Sequence, residues 1–273
     1  LAGLGFRVFA VDSAGHGRTD GLGLAAWRWE SYVDLHQRVI DHLGIERAVL
    51  MGHSMGGRVV VDLASRRPER AIAVIPIDAA IGSGWDRLTT TFLWVPGLFP
   101  LGVGLLAADT AASAVRARRD MSSIARLAAP SIRDRIRSLP QLPAAFVATV
   151  TDGGSGHMLR RLADHRVPTI VIHGDRDLAI WYRFARSAAA DAGATLVRIE
   201  GGRHSWLLED ADSLPTIIAS LLDAQLGQAL AQVSGSIDDL YRPDALARTL
   251  DRDRSQPYEL LGAHRWRLEA GAG

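Results

Sequence analysis

The sequence contains no cysteine and no lysine, so that all 31 of its basic residues are arginines. The absence of cysteine excludes disulfide bonds, thiol catalysis and cysteine-ligated metal sites. The absence of lysine excludes mechanisms that form a Schiff base on the protein. The formal net charge is only +1, which leaves no basic excess to hold phosphates, so we expect no nucleic-acid partner.

The length of 273 residues, with 48% hydrophobic residues, is enough for one large domain with a well-filled core. The apolar start of the chain is not preceded by basic residues. This is not the pattern of a signal peptide, and for the residues present we predict a cytoplasmic protein.

Short apolar runs alternate with segments of helical periodicity in two parts of the chain, before residue 80 and after residue 167. Such near-continuous apolar strands are typical of a parallel sheet that helices cover on both faces. The predicted fold class is therefore α/β, with a mostly parallel, doubly wound sheet. The predicted strands lie at 6–12, just before Gly52, at 71–78, at 168–174 and at 194–199.

The alternation stops after Asp78, and residues 81–166 show helical segments without a convincing strand. Within them, residues 88–108 carry no charge, but Pro96 and Pro100 argue against one uninterrupted helix. We predict a helical lid over an apolar pocket for a small apolar substrate. A weak contact of 88–108 with a membrane surface is the second interpretation, and a membrane-spanning helix is the least favoured.

These observations divide the chain into three parts. Residues 1–80 and 167–226 are predicted to form the core domain, and 81–166 the helical lid. Residues 227–273 are polar and poorly periodic, and we predict an appended tail that is partly disordered.

The motif G-H-S-M-G at 52–56 follows an apolar run and precedes a helical one. A strand, a sharp turn and a helix in this order form a nucleophile elbow, which presents a serine above the end of the sheet. We expect Gly52 and Gly56 because a Cβ there would clash in so tight a turn. The backbone N–H of Met55 would then point at a developing oxyanion. Taken alone, the motif also fits a glycine-rich turn in which Ser54 is a bystander.

Three further motifs accompany the elbow in a fixed order: V-D-S-A-G-H-G-R-T at 11–19, H-G-D-R-D at 173–177 and G-G-R-H at 201–204. With these four motifs, residues 1–225 resemble the α/β-hydrolase fold family, in its serine-hydrolase branch. The resemblance implies Ser54 as nucleophile, Asp177 as acid and His204 as base, in the chain order that this fold uses. It implies no cofactor and no metal.

The chemistry of each residue type agrees with these roles. A serine hydroxyl needs a base to take its proton, and an imidazole titrates near neutral pH. A carboxylate would fix the tautomer of His204 and stabilise its imidazolium form. Asp78 is the competing acid, and Asp175 fits a turn-capping residue better. Structural roles are expected for the remaining candidates, which are Asp12, His16, His53, His157 and His173.

One family feature is missing from the sequence. The family carries an H-G motif upstream of the strand that leads to Asp12, and its loop donates the second oxyanion hydrogen bond. Residues 1–5 contain no such motif. We therefore expect the first strands and the second donor to lie upstream of residue 1, together with any signal peptide.

The leading functional prediction is a serine hydrolase that cleaves esters through an acyl-enzyme on Ser54. A carbon–carbon bond hydrolase or a cofactor-free perhydrolase would keep the same triad. A non-catalytic module that binds an apolar ligand, and a protein anchored to a membrane surface through 88–108, are alternatives from other classes.

Overall fold

A computed structural model describes residues 1–16, 19–22, 28–95, 98–116, 153–209, 212–234 and 266–269. The strands in these residues are β1 (Ala48–His53), β2 (Ala71–Ile77), β3 (Ile170–Gly174), β4 (Thr195–Ile199) and β5 (Trp266–Glu269). The α-helices are α1 (Trp29–His42), α2 (Met55–Arg66), α3 (Ser83–Trp94), α4 (Leu98–Arg116), α5 (Gly156–Asp164), α6 (Tyr182–Ala192), α7 (Trp206–Glu209), α8 (Ser213–Leu222) and α9 (Gln225–Ser234). Short 3₁₀ turns occur at Ala2–Leu4 and Pro68–Arg70.

The five strands form one sheet in the order β1-β2-β3-β4-β5. The first four strands are parallel to their neighbours, and β5 pairs with β4 in the antiparallel direction. Parallel strands that are joined through helices bring their carboxyl ends to the same edge. The loops after β1, β2, β3 and β4 therefore meet at that edge.

Helices cover both faces of the sheet. On one face α2, α5 and α6 pack through small and branched side chains, among them Val61, Leu159 and Ala188, which are fully buried. On the other face α8 and α9 pack on the isoleucines of β2 and β3, together with Trp206. This arrangement confirms the predicted doubly wound α/β class, because the strands are buried from both sides.

The predicted strand at 6–12 is wrong for this structure. These residues form no strand, and Val8, Phe9 and Val11 are between 39% and 50% exposed. A cleft of about 510 Å³ lies between the segment and helix α1. An apolar run becomes a strand only when a neighbour pairs with its backbone groups, and in the described part of the chain no strand pairs with this one.

Helices α3, α4 and α5 lie in the chain between β2 and β3, within the range predicted as a helical insertion. Helix α5 lies inside 81–166, yet Met158, Leu159 and Leu162 belong to the main core cluster. The helix is therefore part of the layer that covers the sheet. Residues 117–152, which complete the predicted lid, lie outside the described residues.

Asp86 of α3 joins the two ends of the insertion. Its carboxylate accepts hydrogen bonds from the backbone N–H groups of Ser155 and Gly156, at 2.7 and 2.8 Å, and from the Ser155 hydroxyl at 3.0 Å. The chain that leaves the sheet after β2 is thus fastened to the chain that returns to it before α5.

Within the stretch 88–108, residues 88–94 belong to the end of α3 and residues 98–108 to the first part of α4. In the ranges that the structure describes, no helix has both the length and the apolar character required to cross a membrane.

The predicted boundary between core and tail at residue 226 also moves. Helix α9 crosses it, and Leu226, Ala229 and Leu230 are buried against the sheet. Strand β5 extends the sheet from within the predicted tail. The apolar spacing i, i+3, i+4 was visible in the sequence and is that of a helix with one buried face. Residues 235–265 and 270–273 lie outside the described residues.

Candidate active site

Ser54 is the single residue between β1 and α2. Its φ of 54° lies in a region that residues other than glycine adopt only with strain. The backbone N–H of Ser54 donates to the carbonyl oxygen of Ile77 at 2.8 Å, which ties the turn to the end of β2. Met55 begins the helix, and the first N–H groups of a helix have no partner within it. The strand, turn and helix predicted from the motif are therefore present.

The glycines around Ser54 differ from the expectation. A Cβ on Gly52 would lie 2.2 Å from the carbonyl oxygen of Gly56, so that position requires glycine. A Cβ on Gly56 would meet nothing within 4 Å, whereas one on Gly57 would lie 2.4 Å from the Cβ of Ala79. The second close approach is therefore made by Gly57, one position after the predicted Gly56. It brings the elbow helix against Ala79, the residue after Asp78.

His204 lies between Ser54 and Asp177. Its Nε2 is 3.0 Å from the Ser54 Oγ, and its Nδ1 is 2.8 Å from the Asp177 Oδ2. A carboxylate only accepts hydrogen bonds, so Nδ1 carries the proton and Nε2 is free to accept one from the serine. The structure brings together the three residues that the sequence motifs selected.

Two loops carry Asp177 and His204, and we name them by the roles predicted for these residues. The acid loop is 175–180, after β3, and the base loop is 200–205, after β4. A Cβ on Gly174 would lie 2.4 Å from the carbonyl oxygen of Gly202, so the two loops start in direct backbone contact. Asp175 accepts hydrogen bonds from the guanidinium of Arg198 and from the N–H of Gly201. Asp175 therefore joins the acid loop to β4 and the base loop, and these hydrogen bonds do not involve His204.

Comparison with known proteins agrees with this geometry. The family model described as serine aminopeptidase, S33, matches residues 1–211. The chain belongs to this family of α/β-hydrolases. A protein of Mycobacterium phage D29 named as a non-heme haloperoxidase is 32% identical over 231 residues, which are 82% of this chain and 80% of that protein.

Two further relatives extend the comparison. The monoacylglycerol lipase of Mycolicibacterium smegmatis is 29% identical over 182 residues, which are 64% of this chain and 62% of the lipase. The structure of an esterase from Exiguobacterium antarcticum superposes with a TM-score of 0.56 at 15% identity, over 79% of this chain and 81% of that chain. At this identity the esterase shows a shared fold.

The two candidate acids of the hydrolase occupy different positions. Asp177 contacts His204 through Oδ2, and its Oδ1 accepts hydrogen bonds from the N–H groups of Ala179 and Ile180, both at 2.8 Å. Asp78 is completely buried, and its oxygens accept from the Gly174 N–H at 2.8 Å and the Trp206 Nε1 at 2.6 Å. The structure therefore places Asp177 against the histidine and uses Asp78 to join the strand ends.

Three candidate metal ligands, Asp78, His173 and Asp177, lie close together, and Asp177 belongs both to this group and to the triad. Sequence spacing did not show the proximity of Asp78, because it follows β2, whereas His173 lies in β3 and Asp177 after it. His173 donates from Nε2 to the carbonyl oxygen of Ile180 at 2.7 Å, and its Nδ1 has no hydrogen-bond partner among the described residues. Since both carboxylates already accept backbone or indole hydrogen bonds, the group forms a buried polar network.

Burial controls the protonation of the groups around the triad. It raises the pKa of Asp78 well above its usual value, with the nearby charge of Asp177 acting in the same direction. It lowers the pKa of His173, and it lowers the pKa of His53 to about 4. The two histidines are therefore neutral at pH 7, and burial disfavours the ionised form of Asp78.

The pKa of His204 shifts in the opposite direction. Burial alone would lower it, but the hydrogen bond to Asp177 and the charges of Asp177, Asp78 and Asp109 together raise the pKa above 6.5. A raised pKa makes the imidazole a stronger base for the serine proton.

His53, His16, His157 and Asp12, the remaining candidates from the sequence, are not among the residues that link Ser54 through His204 to Asp177. His53 donates to the backbone carbonyl of His204, and the His16 Nδ1 is 3.0 Å from the carbonyl oxygen of Ala14. His157 and Asp12 are exposed, His157 on α5 and Asp12 in the segment before the first turn. The contacts of His53 and His16 are structural, as predicted.

Sequence reasoning did not find Asp109 or Trp206, which both contact the site. Asp109 lies in the insertion, far from every motif, and Trp206 follows the base loop. The available signal was the charge pattern, because Asp109 is the first charge after the uncharged stretch 88–108 and the only acidic residue of α4.

Proposed function

We propose that the hydrolase cleaves esters of small, apolar substrates through an acyl-enzyme on Ser54. The observation that carries the proposal is the position of His204, within hydrogen-bond distance of both the Ser54 hydroxyl and the Asp177 carboxylate. A serine becomes a strong nucleophile only when such an oriented base takes its proton.

The reaction would proceed in two halves. The His204 Nε2 takes the proton of Ser54 as its Oγ attacks the ester carbonyl, and the Met55 N–H donates to the resulting oxyanion. The imidazolium, stabilised by Asp177, then gives this proton to the leaving alcohol. In the second half His204 takes a proton from water, whose oxygen attacks the acyl group, and returns it to Ser54.

Two observations support an apolar substrate. Leu178 directly follows Asp177, and Leu208 lies in the short helix α7 after the base loop; these large apolar side chains are 41% and 52% exposed. The uncharged residues 98–108 form the first part of α4, which contacts the base loop through Thr110 and Ser205. The similarity to a monoacylglycerol lipase also favours an ester with an apolar part.

A fluorophosphonate probe tests this proposal, because it reacts with activated serines. We expect labelling of Ser54 and hydrolysis of p-nitrophenyl esters, both lost in Ser54→Ala. Ser65, a buried serine of α2 that binds the Asp62 carbonyl, provides the control substitution Ser65→Ala, which should still be labelled. A folded protein that neither reacts with the probe nor hydrolyses these esters would contradict the proposal.

A perhydrolase is the second candidate, favoured by the 32% identity to the phage D29 haloperoxidase. In that reaction hydrogen peroxide replaces water in the second half, so that the acyl group leaves Ser54 as a peracid and the serine regains its proton. Peracid formation from a short ester and peroxide that exceeds hydrolysis would support it.

A parallel screen with β-diketones tests for a carbon–carbon bond hydrolase. Ligand binding that survives Ser54→Ala, in a protein without turnover, would indicate a non-catalytic module.

A further inference from the structure

Helix α4 of the insertion contributes one buried carboxylate, Asp109, to the two loops that carry the triad. Its Oδ1 accepts a hydrogen bond from the backbone N–H of His204 at 2.8 Å. Its Oδ2 accepts one from the backbone N–H of Leu178 at 3.2 Å. A single side chain thus joins the base itself to the residue that follows Asp177.

Neighbouring contacts strengthen this connection. The Thr110 Oγ1 is 3.2 Å from the Ser205 Oγ, so the residues after Asp109 and after His204 also meet. The Arg203 guanidinium lies 3.7 Å from the Asp109 Oδ2 and balances its negative charge. The carboxylate is therefore held from several sides in a buried position.

We infer that Asp109 is a positioning residue, through which helix α4 holds the acid loop and the base loop at the separation that the triad requires. This inference rests on the proposed function, because it concerns the alignment of His204 with Ser54 and Asp177. It adds that the insertion is coupled to catalysis, since a displacement of α4 would break both hydrogen bonds of Asp109 together.

The chemistry of the carboxylate explains why an amide would not replace it. Both oxygens of Asp109 face backbone N–H groups, and a carboxylate has only acceptors to offer. An asparagine would direct its own NH₂ group at one of these donors. Either Leu178 or His204 would then lose its acceptor in a buried position, and the loop concerned would shift.

Asp109→Asn and Asp86→Asn form a matched pair for the test. Asp86 is also a carboxylate of the insertion that accepts two backbone hydrogen bonds, but it holds Ser155 and Gly156 rather than the triad loops. With a p-nitrophenyl ester, we expect Asp109→Asn to lower kcat by about 10- to 100-fold with little change of KM, because small misplacements of reacting groups are costly. We expect Asp86→Asn to lower the melting temperature while kcat stays within about twofold of the unmodified protein.

The outcomes separate the inference from the function on which it rests. An unmodified protein without esterase activity would overturn the proposed function, and the inference with it. An active protein in which Asp109→Asn keeps its kcat, or in which both variants lose kcat equally, would overturn the inference alone. If Asp109→Asn does not fold, Thr110→Val tests the same contact between α4 and the base loop. A fall in kcat at constant KM would then support the inference, and an unchanged kcat would overturn it.

Discussion

His53 donates a hydrogen bond from its Nε2 to the backbone carbonyl oxygen of His204, at 2.7 Å. The two rings lie with their centroids 4.9 Å apart. The residue before the nucleophile therefore supports the backbone of the base, across the gap between two strand ends. His53 is neutral at pH 7, because burial lowers its pKa to about 4, and it makes this contact as the tautomer that carries its proton on Nε2.

The first prediction concerns stability in acid. Above pH 6.5 neither the native nor the unfolded chain takes up the His53 proton, so its contribution to stability is complete. Between pH 6.5 and 4 only the unfolded chain binds this proton, and the native state loses roughly 3 kcal/mol of stability. The substitution His53→Gln, which keeps a donor for the His204 carbonyl, should reduce this loss.

Urea unfolding at pH 7.5, 6 and 5 measures the effect. His173, whose pKa is also lowered by burial, leaves part of the acid sensitivity in place. His157→Gln is the control, because His157 is exposed on α5. An acid sensitivity that is identical in His53→Gln and the unmodified protein would contradict the prediction.

The second prediction concerns the pH dependence of activity. His204 must be neutral to accept the serine proton, so kcat/KM should rise with pH through a midpoint above 6.5. In Asp177→Asn the midpoint should fall, because the main interaction that raises the pKa of His204 is removed. Other charged or titratable groups around the ring remain unchanged in this comparison, namely Asp78, Asp109, His53 and His173. A midpoint below 6.5 in the unmodified protein would contradict the assigned direction.

The third prediction compares the two candidate acids. Asp177→Asn should lower kcat by about 10⁴-fold in a folded protein, because the asparagine favours the wrong tautomer of His204. Asp78→Asn should destabilise the fold by about 1–3 kcal/mol, since an amide group would face the Gly174 N–H or the Trp206 indole. Its kcat should stay within about tenfold. Steady-state kinetics and thermal unfolding of both variants measure these effects. A large loss of kcat in Asp78→Asn, with only a loss of stability in Asp177→Asn, would make Asp78 the acid.

The fourth prediction concerns the elbow glycines. Gly57→Ala should destabilise the protein by about 1–3 kcal/mol, because the new Cβ would lie 2.4 Å from the Cβ of Ala79. Gly56→Ala is the matched control at the adjacent helical position, where a Cβ meets nothing within 4 Å. Combining Gly57→Ala with Ala79→Gly should recover part of the loss. Chemical denaturation measures all three, and equal stabilities of the two single variants would refute the contact.

The motifs predicted the positions of Ser54, Asp177 and His204 because each follows a strand of one parallel sheet, whose carboxyl ends converge. The contacts of Asp78 and Asp109 could be found only from the structure, since they join segments that share no local sequence pattern. Helix α9 was missed although Leu226 and Leu230 have helical spacing. The strand predicted at 6–12 is not formed, because an apolar run in the sequence does not show whether a neighbouring strand pairs with it.

The hydrogen bonds from Ser155 and Gly156 to Asp86 affect how far related proteins can differ in the insertion. The chain leaves the sheet and returns to it at one carboxylate, so this contact closes the insertion whatever the length of the chain between α4 and α5. Closing a loop twice as long costs only about 0.6 kcal/mol more. Segments between α4 and α5 can therefore be exchanged for longer or shorter ones at little thermodynamic cost, provided that Asp109 keeps its place, and new substrate ranges become accessible without a redesign of the core.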